Sequence, residues 1–317
     1  KKEFYLQYLE ENGVAARYIS NANVSHKRFF ILNKHINDYD PDTVISYSVS
    51  TNMITSVMKI LGSRFNLIVS ERNTSQKLTF REKLKFFFYQ WANHIVPNSF
   101  SQQNFINKNF PRLTAKVKVI TNFVDMDKFA PSTYTSNITN NTNIVCVGRM
   151  MHQKNILNFI QAIAKLVERG NKISVDWYGQ NLNDEYSKSC TQLITDYNLH
   201  ECFVFHAPSL NIQEVYRKAD VFCLPSLYEG FPNVLCEAMS CGKPVLCSSV
   251  CDNPNIVRDG QNGLLFDPLN IDEIVAKVEQ YLSLTNEEKV LMGHTSRDIA
   301  LGMFSKDAFI LKYNEII

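Results

Sequence analysis

Short apolar, β-branched runs alternate along this chain with longer segments whose apolar residues recur every three or four positions. That is the pattern of parallel sheets assembled from strand-helix-strand units. The runs predict strands at 14–20, 43–48, 66–71, 93–97 and 116–121, and then at 144–148, 173–179, 202–206, 220–225, 244–248 and 263–266. Helical spacing is clearest at 155–169, where apolar side chains at 156, 157, 160, 163, 164 and 167 share a face and Gly170 supplies the stop. Between the two series lies PSTYTSNITNNTN, residues 131–143, rich in Ser, Thr and Asn and without a large apolar cluster, the composition of a linker.

The pattern predicts an α/β protein with two parallel-sheet domains in tandem, as a length of 317 residues would suggest. The expected division is 1–130, a linker at 131–143, a second domain at 144–300, and a C-terminal helix at 301–317 packing back toward the first domain. A doubly wound domain ordinarily opens on a strand and a glycine-rich turn. This chain opens on a charged helix without an initiator Met, so the first domain is expected to lack its first βα units.

Composition narrows the class. No apolar run approaches the roughly 20 residues needed to span a bilayer, and KKEFYLQYLEENG has no signal-peptide core, so a cytoplasmic protein is expected. All eight cysteines follow residue 140, in stretches such as IVCVG and VFCLP and without a CxxC pair, which favours buried, reduced thiols over disulfides or zinc. The net charge of +2 conceals an asymmetry: residues 1–130 hold 18 Lys and Arg against 10 Asp and Glu, and the remainder 15 against 21. The first half should attract anions or an anionic surface, and the second should not.

Candidate chemistry concentrates in two segments. In LPSLYEGFPNVLCEAMSCGKPVLCS, 224–248, a strand ends at Pro225, a loop carries Glu229 and Gly230, and Pro232 opens a helix that stops at Gly242. The amides of Asn233 and Val234 then point out of the helix N-terminus, which suits phosphate. Glu229 and Glu237 are placed to face one crevice, where ribose and sugar hydroxyls are their natural partners. In VGRMMHQKNILNFIQAI, 147–163, a strand ends at Gly148 and the next loop carries Arg149 and Lys154. Two cations and a helix N-terminus can neutralise a diphosphate leaving group without a metal ion.

GRMMHQKN, EGFPNVLCEAMSCGKPV and DGQNGLLF together resemble the retaining glycosyltransferases of family 4, glycosyl transferases group 1, of the kind that build bacterial capsules, lipopolysaccharides and other glycans. The resemblance is specific over 143–270 and looser over 40–130, through YDPDTVISYS, IVPNS and VITNFVDMDKF. It implies the GT-B fold, two Rossmann-like domains facing a central cleft, and transfer of a hexosyl unit from a UDP-sugar, or a GDP-sugar, to a glycan or lipid-linked saccharide. It further implies that Arg149 and Lys154 hold the diphosphate, Glu237 the ribose, and Glu229 the transferred sugar. The amides of Phe231, Asn233 and Val234 would reach the distal phosphate, and the base would lie around His206, Ala207, Tyr178 and Gly179. No cofactor, metal ion or nucleic acid is expected. Where the family often has a histidine, this chain has Glu71, Arg72 and Asn73, the candidate acceptor-side residues.

Asp125 and Asp127 form a DxD pair, which metal-dependent glycosyltransferases use, but they stand before the linker and far in sequence from the diphosphate loop. The stretch KLTFREKLKFFFYQW, 77–91, reads as a basic, aromatic helix. Its spacing predicts a buried stripe of Phe80, Leu84, Phe87, Phe88 and Trp91, leaving Phe86 and Tyr89 for peripheral contact with an anionic membrane, such as the cytoplasmic face of an inner membrane. A nucleotide-sugar-binding protein without transferase activity and a nucleotide-sugar epimerase are the alternatives. A nicotinamide oxidoreductase is disfavoured, since no G-x-G-x-x-G turn opens either sheet.

Overall fold

The structure, a computed structural model, describes residues 9, 11–16, 25–72, 75, 77–131 and 141–317. The chain divides into two compact units, Lys1–Ser70 with Thr79–Ile95, and Glu71–Leu78 with Val96–Ile317. The early elements are α1 (Ser25–Tyr39), β1 (Thr43–Tyr47), α2 (Val49–Ile60), β2 (Asn66–Glu71), α3 (Phe80–Tyr89) and β3 (His94–Pro97). Their three strands form one sheet of order β1-β2-β3, with β1 parallel to β2. Thr79 caps α3 by accepting from the Glu82 amide.

The later elements are α4 (Phe100–Asn109), β4 (Thr142–Val147), α5 (Ile156–Glu168), β5 (Ile173–Tyr178), α6 (Glu185–Asp196), β6 (Phe203–His206), α7 (Ile212–Lys218) and β7 (Val221–Leu224). They continue with α8 (Asn233–Ser240), β8 (Val245–Ser248), α9 (Asn253–Ile256), β9 (Gly263–Phe266), α10 (Ile271–Leu282), α11 (Asn286–Phe304) and α12 (Lys306–Asn314). Six strands form a parallel sheet of order β6-β5-β4-β7-β8-β9. Burial on both faces explains its near-continuous apolar strands: Ile144 and Cys146 enter one core cluster, with Trp177 and Phe159, while Val145 enters the other, with Phe222 and Leu235. The order reverses between β4 and β7, so the loops leaving these two central strands diverge over a crevice at the sheet's carboxyl edge.

Three expectations need correction. Segment 116–121 is no strand: Lys116 closes a 3-10 turn, Val117 makes a single bridge, and Ile120 donates its amide to Pro97 O without further pairing. Of the strand expected at 14–20, residues 14–16 are irregular and the rest lie outside the described residues, as do 132–140 of the linker segment. The faces of α3 are reversed. Phe86 and Tyr89 are buried, in edge-to-face contact at 5.5 Å, whereas Phe80, Leu84 and Phe87 are exposed. The buried face includes one basic residue: Lys85 is buried against the Phe86 ring and paired with Glu82, whereas Arg81 and Lys83 stay exposed.

Candidate functional site

The crevice between β4 and β7 collects the two sequence segments. After β4, Gly148 and Arg149 lead through a short 3-10 turn, His152–Lys154, into Asn155, whose left-handed backbone (φ 57) starts α5. Lys154 turns back across Gly148, and a Cβ at that glycine would stand 2.8 Å from Lys154 Cε. Gly179, after β5, approaches still closer: its Cβ would lie 1.9 Å from Gly148 O. Trp177 Nε1 donates to the same carbonyl at 2.8 Å, fixing the turn from below. Arg149 is exposed.

After β7, Glu229 points back to Lys154, with Oε1 2.6 Å from Nζ, and both side chains are largely buried. This is the contact that joins the two segments. Gln153 secures it, its carbonyl accepting from the Leu227 amide and its side chain donating to Tyr228 O, each at 2.8 Å. Gln153 lies inside the quoted motif, but nothing in its spacing marks it as a tie between loops. Cys251 stands beneath the same loop with φ 50, and its sulfur accepts from the Glu229 amide.

Pro232 turns the chain into α8. The Asn233 amide bonds Phe231 O, so the Val234 amide is the next in the first turn without an intrahelical acceptor. Phe231 is buried and packs edge-to-face on Phe304 of α11. Glu237 lies one turn on, its Oε2 receiving the Tyr216 hydroxyl at 3.1 Å. Burial pushes the Glu237 carboxyl up, an effect opposed by the Tyr216 hydrogen bond and by Lys128. Burial above all, and then the Glu237 charge, push the fully buried Tyr216 hydroxyl well up. Tyr216 was not singled out from the sequence, where it is one apolar position of a short helix.

At the ends of β5 and β6, Tyr178 and His206 stack with ring centroids 4.4 Å apart and planes 15° from parallel. His206 Nε2 meets Asp176 Oδ1 at 2.6 Å, and Asn143 donates to the other oxygen. Burial, with Asp176 second, raises the Tyr178 hydroxyl. Asp176 was legible as the one charged residue in the strand ISVDWYG. Ala207 follows, exposed.

Arg72, the residue after β2, donates to Asn122 Oδ1. The carboxylate of Glu71 is buried, and Asn73 lies outside the described residues. Asp125 is engaged in a turn, its Oδ1 accepting from the amides of Asp127 and Lys128. Among the described residues no three His, Cys, Asp or Glu side chains are grouped to hold a metal ion. All eight cysteines are free thiols, six buried and two, Cys202 and Cys251, partly exposed.

A parallel sheet with its crevice at the strand-order reversal, flanked by a lysine, two glutamates and a helix N-terminus, defines a Rossmann-like α/β protein with its ligand side at the carboxyl edge. More particularly, the chain belongs to the glycosyl transferases group 1 family, whose model matches residues 135–296, just over half of it. It is 32% identical over 174 residues to the UDP-Gal:alpha-D-GlcNAc-diphosphoundecaprenol alpha-1,3-galactosyltransferase of Escherichia coli, a match covering 50% of this chain and 43% of that enzyme. It is 27% identical over 281 residues, 86% of this chain and 73% of the relative, to a Campylobacter jejuni alpha-1,4-N-acetyl-D-galactosaminyltransferase acting on a diNAcBac-PP-undecaprenol glycan. The match spans less than half the length of the Escherichia coli enzyme.

Solved structures agree in fold. Anabaena Alr3699/HepE in complex with UDP superposes with a TM-score of 0.85 at 19% identity, over 98% of this chain and 87% of that one. The lipopolysaccharide outer core galactosyltransferase WaaB gives 0.76 at 17% identity, over 100% and 86%. The fold is thus the expected GT-B architecture of two parallel-sheet α/β domains.

Proposed function

We propose that this protein is a retaining, metal-independent glycosyltransferase that moves a hexosyl unit from a nucleotide-sugar, a UDP-sugar before a GDP-sugar, to a glycan or lipid-linked saccharide. The observation that carries the reading is the Lys154–Glu229 contact across the β4–β7 crevice. It brings a cation suited to the departing diphosphate to within 2.6 Å of a carboxylate suited to sugar hydroxyls. Arg149 on the same loop and the first turn of α8 supply further positive charge, so the leaving group can be stabilised by the protein alone. Glu237, oriented by Tyr216, is suited to accept from ribose hydroxyls, and the Tyr178–His206 stack offers the base a flat aromatic face. Support for the nucleotide comes from the Anabaena neighbour, crystallised with UDP and with UDP-glucose, and support for the acceptor from the undecaprenol-diphosphate glycans in the relatives' names.

The test is donor consumption with a panel of UDP-, GDP- and ADP-sugars, with and without a lipid-diphosphate saccharide, in EDTA. Transfer that survives chelation and preserves the donor's anomeric configuration, read by NMR, is expected. An inverted linkage, or activity abolished by EDTA and restored by manganese, refutes the mechanism. Donor binding without consumption leaves a binding protein.

A lipid-linked acceptor places the reaction at a membrane surface, on the side where nucleotide-sugars are made. The outer face of α3 suits such a surface: Phe80, Leu84 and Phe87 are exposed beside Arg81 and Lys83. No helix among the described residues is long and apolar enough to cross a membrane. Co-sedimentation with anionic vesicles is expected at low salt and should be lost with Phe80→Ser and Phe87→Ser. Unchanged binding of that variant removes α3 from the interface.

A further inference from the structure

We infer that Arg72 is a third cation of the diphosphate site, seated there by Asn122, a positioning residue. The inference rests on the proposed nucleotide-sugar site and extends it to residues from two other segments. The observation is a chain of side-chain hydrogen bonds. Arg72 Nη1 donates to Asn122 Oδ1, and Asn122 Nδ2 donates to Asn233 Oδ1 at 2.7 Å. Arg72 directly follows β2, Asn122 lies in the segment ITNFVD, and Asn233 is the first residue of α8. They stand 50 and 111 residues apart in sequence, measured from Asn122.

Chemistry fixes the direction of this chain. A guanidinium only donates, so the Asn122 amide must turn its oxygen to Arg72 and its nitrogen to Asn233. Both ends of that amide are therefore committed, and reversing it would lose the Arg72 bond. Arg72 is thereby held about one amide width and two hydrogen bonds from the side chain of Asn233, the residue that opens α8.

The sign of the charge points to a ligand. A helix N-terminus is the positive end of its dipole, where structural side chains are acidic and cations are unfavourable. The first turn of α8 contains no acidic residue, and the chain instead brings a guanidinium toward it. A guanidinium brought toward that end adds to its positive potential, which suits an anion. Lys154 already faces Glu229, so Arg72 adds positive charge on the α8 side of the crevice, where the distal phosphate is proposed to lie. Arg72 should therefore favour nucleoside diphosphate over monophosphate.

Calorimetric titration with UDP, UMP, GDP and GMP tests this, together with melting of the ligand-free protein. For the nucleotides that bind wild type, Arg72→Ala should cut diphosphate affinity about tenfold or more and leave monophosphate affinity within about twofold. Asn122→Ala should do the same to a smaller extent, and Asn122→Asp, which keeps an acceptor for Arg72, should restore part of the preference. The ligand-free melting temperature of Arg72→Ala should hold or rise. A purely structural tie predicts the reverse, a lower melting temperature with diphosphate and monophosphate weakened alike, and that result overturns the inference. So does an unchanged preference in both alanine variants. Wild-type protein that binds none of the four nucleotides sinks the nucleotide-sugar reading itself, and this inference with it.

Discussion

Lys154 is occupied before any donor arrives. A largely buried pair at 2.6 Å is weakly screened, so in the proposed site Glu229 competes with the donor diphosphate for the same ammonium group. Glu229→Gln should release Lys154: free UDP then binds roughly tenfold tighter, while sugar transfer falls about 10²-fold because the sugar-side carboxylate is gone. Equal UDP affinity in variant and wild type, measured by calorimetry, would mean that Lys154 does not meet the diphosphate.

Glu237 carries the complementary prediction. Its carboxyl is raised by burial, so in the ribose-binding role proposed for it, protonation would remove the acceptor at a pH above the ordinary carboxylate range. Nucleotide affinity should therefore fall as the pH drops toward that raised value. Tyr216→Phe removes the hydrogen bond that opposes the shift, so the fall should begin at higher pH. For stability the sign is opposite to that of a salt-bridged carboxylate. The folded state binds the proton more tightly than the unfolded one, so a cost appears as pH rises from the ordinary value through the raised one and is fully present above it. Glu237→Gln should raise the ligand-free melting temperature at pH 7 and not below the ordinary carboxylate range, while weakening nucleotide binding. A lower melting temperature at pH 7 would show that the carboxylate is held favourably.

At the scale of elements, the site depends on how loops are pinned. The β4 and β7 loops are tied by Gln153 at 2.8 Å on both its carbonyl and its side chain, and Gly179 lets the β5 turn close on Gly148 O. Helix α4 is pinned from a distance. The carboxylate of Asp252, fully buried before α9, accepts from the amides of Phe100 and Ser101 at 2.7 Å and from the Ser101 hydroxyl at 2.6 Å. Ser99 takes the Gln102 and Gln103 amides, so the whole first turn of α4 is satisfied. Asp252→Ala leaves those donors without their acceptor and should destabilise by about 2–4 kcal/mol. Denaturation with a midpoint within error of wild type would show that water replaces the carboxylate.

For the whole molecule, the decisive feature is the strand order β6-β5-β4-β7-β8-β9. Alternating βα units make β4 and β7 neighbours although 73 residues separate the end of one from the start of the other. Motifs distant in sequence thus meet at one crevice, where helix N-termini and strand ends converge. The charge asymmetry of the chain belongs to this scale too: it would add a long-range attraction for anionic surfaces to the membrane contact proposed for α3. High salt should therefore reduce the vesicle association of wild-type protein more than that of a variant with Arg81→Gln and Lys83→Gln.

The sequence by itself determined the elements and their class. Short β-branched apolar runs and apolar recurrences every three or four positions are local, and each of the six strands expected after residue 140 is present within two residues of its expected limits. The motifs also placed Gly148, Lys154, Glu229 and Glu237 on the loops and helix where they stand, because turn residues such as Pro232 and Gly242 act on their neighbours. Tertiary structure alone decided what faces what. Tyr216 meets Glu237, Gln153 joins two loops, Asp252 caps α4 and Asn122 joins Arg72 to α8, all through contacts between residues remote in sequence. The faces of α3 belong with these. A helix with aromatic residues on several sides has more than one apolar stripe, and only its neighbours, here Asn52 donating to the Tyr89 hydroxyl, select the one that is buried.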